Sequence, residues 1–192
     1  MQDFIHNKVK LAEEMLVQFN QVQRLYAQRA YEFDQNFDDF MKVLLLHYTQ
    51  SGDTTSESEI LRLSNSVSLV KKGFNPLKME KITSGRREYY FGFTFSAMES
   101  IHALLTEEFT LQMKKLDDAA ELISNLILSM HQNGILTDKK IKNLNSVAKI
   151  EAFWNSMVNQ NESVSSIYKK LRLTLISEDI YLLTEKILLK II

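Results

Sequence analysis

Cysteine is absent from this chain of 192 residues, which excludes disulfides, thiolate nucleophiles and cysteine metal sites and points to a reducing, cytoplasmic setting. Proline occurs once and glycine five times, well below ordinary usage, and both residues normally punctuate loops and strands. Their scarcity predicts long helices. The glycines stand alone at positions 52, 73, 85, 92 and 134, so no glycine-rich phosphate loop can form, and no Gly-x-Ser-x-Gly elbow is present. Neither sign of charge dominates: 23 basic and 24 acidic residues leave a net charge of −1, so any charge-driven contact must be local. The start, from Met1 to Lys8, lacks the pattern of a secretory signal. No stretch reaches the roughly 18 apolar residues that span a bilayer. Even the apolar end, Ile180 to Ile192, is interrupted by Glu185, Lys186 and Lys190. A soluble cytoplasmic protein forming one domain over 1–192 is the expectation.

What is present is helical periodicity. Steps of four and three from Ile5 pick out Val9, Ala12, Leu16, Phe19, Gln23, Tyr26, Ala30, Phe33, Phe37, Phe40, Leu44 and His47, a heptad seam with two polar positions. The spacing predicts one unbroken helix over 3–50, on the order of 70 Å long. A second apolar stripe beside the seam makes this helix a bundle wall and not half of a two-stranded coil. Gln23 and His47 read as register-setting polar residues. Gly52 marks a left-handed C-cap, and Ser56 with Glu59 has the spacing of a capping box for a helix that Gly73 closes.

Residues 77–95 break the helical pattern. Phe91, Phe93 and Phe95 alternate with Tyr90, Gly92 and Thr94, and Ser84-Gly85 offers a turn, so the sequence predicts a β-hairpin inserted at 74–95. Ser96 and Glu99 then suggest another capping box, opening a second long helix over 97–133. Thr137 is the expected cap of a further helix, and Ser163 opens the last segment. The predicted class is all-α: an elongated bundle of two long helices, shorter helices and one small hairpin.

Chemical signatures are sparse. Glu99-Ser-Ile-His102 matches half of a di-iron carboxylate pattern, but no second Glu-x-x-His exists, and no metal or other cofactor is expected. Adjacent acids such as Glu107-Glu108 point apart on a helix and form no acid/base pair. No enzyme activity and no small-molecule substrate are inferred. Charge is more informative: residues 71–88 hold six basic and two acidic side chains, while 1–70 hold six basic and ten acidic. Lys71, Lys72, Lys78, Lys81, Arg86 and Arg87 therefore form a basic segment beside Tyr89 and Tyr90, with Glu32, Asp34, Asp38 and Asp39 as a counterpart within the chain or on a partner.

The residues expected to make contacts are Tyr89, Tyr90, Phe91, Phe93 and Phe95, with Lys78, Arg86 and Arg87 orienting them. A two-stranded hairpin is unstable alone, so a second copy or another subunit would complete it, giving a structural or adaptor protein. A membrane role through the hairpin or the apolar tail is one alternative, since long helices with an aromatic β-tongue resemble the layout of α-helical pore-forming toxins. Nucleic-acid binding through the 71–88 basic patch is another.

Overall fold

A computed structural model describes residues 4–191. Among them lie eight helices: α1 (Ile5–Ala27), α2 (Phe33–Ser51), α3 (Thr54–Lys71), α4 (Arg86–Gln132), α5 (Asp138–Asn143), α6 (Val147–Gln160), α7 (Glu162–Leu171) and α8 (Ser177–Ile191). The all-α class holds. The chain divides into two compact units, one spanning Ala12–Glu108, the other formed by the chain up to Leu11 together with Phe109 onward.

The predicted helix over 3–50 is not continuous. It ends at Ala27 in a Schellman motif: the Ala30 amide donates to the Leu25 carbonyl at 2.9 Å and the Arg29 amide to Tyr26 at 2.9 Å. Arg29 occupies the left-handed position, φ 51°, that glycine ordinarily takes. The Phe19 and Phe40 rings then meet at 5.8 Å, whereas a straight helix would hold them roughly 31 Å apart. α1 and α2 therefore form an antiparallel hairpin. The seam itself survives the fold: Ala12, Phe19, Phe33, Phe37, Phe40 and Leu44 are all buried.

Gly52 is the left-handed C-cap of α2, φ 72°, as expected. The next helix starts earlier than its predicted capping box, because the Asp53 carboxylate accepts the Ser56 amide at 3.1 Å while Glu59 pairs with Arg62. Side-chain contacts set the remaining directions in this unit. Tyr26 meets Phe91 and Phe19 meets His102, so α4 runs antiparallel to α1; Asp34 meets Tyr90 and His47 meets Glu108, so it runs parallel to α2. The result is an up-down-up-down bundle around Phe19, Phe37, Leu44, Ile60 and Ile101.

The β-hairpin is the main correction. Among the described residues no strand is present; the only trace of pairing is one antiparallel bridge between Phe74 and Lys81. Residues 86–95 are instead the opening turns of α4, which runs unbroken for 47 residues through the proposed capping box at Ser96 and Glu99. Aromatic alternation misled because the same segment also carries a helical face. Thr94, Ala97, Met98, Ile101 and Leu105 are buried on one stripe, and that burial outweighs local β propensity.

In the other unit, Trp154 is fully packed among Ile123, Ile150, Leu175 and Ile180, and its indole N–H donates to Thr184 at 3.0 Å. Asn161, not Ser163, caps α7, accepting the Val164 amide at 3.2 Å. Thr137 does precede α5, though its side chain makes no capping bond, and the helix expected from it is divided at Leu144. The apolar tail forms α8, with Ile180, Leu183 and Leu188 committed to this core. No helix of the described residues is long and apolar enough to cross a membrane.

Candidate functional site: the aromatic and basic opening of α4

The eight residues expected to make contacts do not share one face. Three turns of helix distribute seven of them, whereas a strand would have placed the three phenylalanines together. Phe91 lies at the centre of the group that the fold does assemble. Its ring is 5.6 Å from that of Tyr26, and its carbonyl accepts the Tyr26 hydroxyl at 2.9 Å. The guanidinium of Arg29 lies 5.5 Å from the Phe91 ring centre and that of Arg87 lies 5.8 Å away, both within cation–π range. Phe95 joins the same cluster 6.1 Å from Tyr26 and remains about half exposed. Tyr31, on the turn that carries Arg29, is 98% exposed.

Tyr90 points another way. Its hydroxyl donates to Asp34 on α2 at 2.6 Å; burial, then the neighbouring carboxylate, push its pKa well above the ordinary tyrosine value. Tyr89 stacks on Phe93 one turn along α4 at 6.4 Å, and Phe93 packs on the unit's core. Lys78 sits apart on the exposed 74–85 loop, where its amide bonds the Asn75 side chain.

Part of the basic segment is neutralised within the chain, as its acidic counterpart suggested. Lys71 lies 3.5 Å from Asp34 and 3.3 Å from Asp38. Arg86 donates to the Lys71 carbonyl at 2.7 Å, joining the end of α3 to the start of α4. The guanidinium rests on Gly73, where a Cβ would come within 2.8 Å of Cζ, and Gly73 has φ 90°. The positive φ favours glycine here, and the absence of a Cβ lets the Arg86 guanidinium approach. Asp34, Val70, Lys71, Arg86, Arg87 and Tyr90 line an open pocket of about 310 Å³.

Sequence reasoning missed Tyr26 and Arg29 as neighbours of Phe91; Arg29 reaches that ring from the turn at 28–32, which also leaves Tyr31 exposed. His102 stacks on Phe19 at 5.7 Å, and among the described residues no group of three or more potential ligands is placed to hold a metal ion. Among the described residues the aromatic β-tongue on which the likeness to pore-forming toxins rested is not present. No family model matches the chain, and neither a curated protein nor a solved structure matches it.

Proposed function

We propose that this is a non-enzymatic structural or adaptor protein of the cytoplasm that assembles with copies of itself through the Arg29–Tyr31–Phe91–Phe95 face. One observation carries the reading: Phe95 stands half exposed in the Tyr26–Phe91 cluster under Arg29, whose guanidinium has no carboxylate partner among the described residues, and Tyr31 is exposed two residues further along the chain. Exposed aromatics flanked by arginine are the composition of protein contact surfaces, where flat rings bury area at little entropic cost. Acidic side chains are plentiful elsewhere on the chain, so a second copy supplies the complementary charge. The contact is made by side chains of helices and of one turn, and needs no strand pairing.

Size-exclusion chromatography with light scattering tests it. The expected result is a multimer at micromolar concentration that Phe95→Asp or Tyr31→Asp converts to monomer, with helical content unchanged. A monomer at every concentration, or a multimer indifferent to both substitutions, would overturn the assembly reading.

A further inference from the structure

We infer that the pocket lined by Lys71, Arg86, Arg87 and Tyr90 is a binding site for a small soluble phosphate monoester, a function that goes beyond self-assembly and does not depend on it. The argument begins with charge. Three cations and one carboxylate, Asp34, line this space. Asp34 is already engaged, accepting the Tyr90 hydroxyl and lying 3.5 Å from the Lys71 ammonium, which Asp38 also approaches at 3.3 Å. Arg86 spends one donor on a neutral carbonyl and has no carboxylate within ion-pair distance among the described residues. Arg87 has none either; its guanidinium lies over the Phe91 ring. Two adjacent arginines therefore line an open cavity with no ion-pair partner of their own among the described residues.

The architecture holds them there. Arg86 is seated on Gly73 and hydrogen-bonded to the last turn of α3, and Arg87 lies against Phe91, contacts that favour these positions at the pocket. Guanidinium forks suit a planar or tetrahedral oxyanion with several acceptor oxygens. A phosphate monoester, carrying close to two charges at neutral pH, balances the pair where a single carboxylate would not. The volume, about 310 Å³, exceeds what a bare phosphate fills and leaves room for the esterified carbon against Val70 and the Tyr90 ring. A metal cation is disfavoured by the same surplus of positive charge.

The test is a titration of protein labelled with ¹⁵N-arginine, at constant ionic strength, with glycerol 3-phosphate, inorganic phosphate and, as control, sodium sulfate. Saturable shifts of the Arg86 and Arg87 Nε–H signals are expected, strongest with glycerol 3-phosphate. Arg87→Gln should weaken binding by about tenfold or more, as loss of a charge-assisted contact does. Phe95→Asp should leave it unchanged, which separates this site from the assembly face. Circular dichroism of each variant checks that the fold persists. Absence of saturation, equal response to sulfate, or unaltered affinity in Arg87→Gln would overturn the proposal. So would sedimentation with vesicles containing phosphatidic acid without any response to glycerol 3-phosphate, since that would assign the charge to a lipid surface.

Discussion

The carboxylate of Asp179 accepts the Ile5 amide at 3.0 Å across 174 residues of chain. It also accepts the His6 amide at 3.1 Å and meets His6 Nδ1 at 2.6 Å. Asp179 belongs to the first turn of α8, so one buried carboxylate of that helix accepts from the N-terminal end of α1. Unpaired amides at a helix start need an acceptor, and here the acceptor comes from the far end of the chain.

Asp179→Ala leaves all three donors without that acceptor and should cost about 3 kcal/mol in denaturant unfolding, whereas His6→Ala, which removes one donor, should cost about 1 kcal/mol. Equal effects would mean that the amide contacts contribute nothing.

The same group sets an acid limit. Burial acts to raise the Asp179 pKa, but the hydrogen bonds from His6 and from the Ile5 and His6 amides outweigh it, and the carboxyl lies below its ordinary value. A depressed native pKa means that this stabilisation is complete above the unfolded value, about 3.9, and is lost as pH falls through the native one. Chemical denaturation from pH 6 to pH 2 should show the gap between wild type and Asp179→Asn narrowing only below about pH 4. A gap independent of pH would refute the assignment.

Two glycines should respond in opposite directions. Gly73→Ala places a Cβ at φ 90° and displaces the Arg86 guanidinium, and should destabilise by about 1–2 kcal/mol, chiefly through the backbone. Gly92 lies within α4 with nothing within 4 Å of a would-be Cβ, so Gly92→Ala should stabilise by about 0.5–1 kcal/mol. Thermal melts of the two variants decide the matter.

Trp154 is the single tryptophan, buried with its N–H on Thr184. Thr184→Val keeps the shape but removes that acceptor and should cost about 1–3 kcal/mol, with Trp154→Phe costing a similar amount. In a double-mutant cycle the pair should be strongly non-additive. Additive losses would indicate that the bond carries no coupling.

Much of the burial pattern was legible in the chain. Ile5, Ala12, Phe19, Phe33, Phe37, Phe40 and Leu44 were selected by spacing alone, and each is buried. Gly52, Gly73 and Gly134 end their helices in left-handed geometry where the apolar stripes stop. The turn after Ala27 could not be read, because Arg29 replaces the glycine that announces such a cap, and the heptad phase continues across it unaltered. Ser56 and Glu59, or Ser96 and Glu99, matched a capping box only by spacing; the chain begins one helix at Asp53 and runs another straight through.

The sequence alone determined that most of the chain is helical and which seam residues of its first fifty leave water, because amphipathic periodicity follows from the geometry of a single helix. Tertiary structure decided where the first helix reverses, that Phe91, Phe93 and Phe95 lie on a helix and not a strand, and that Arg29 and Arg87 both lie near the Phe91 ring. Those outcomes depend on which distant surfaces cover each other: local preferences differ by about 1 kcal/mol or less per residue, while burying a large side chain contributes about 1.5–3 kcal/mol.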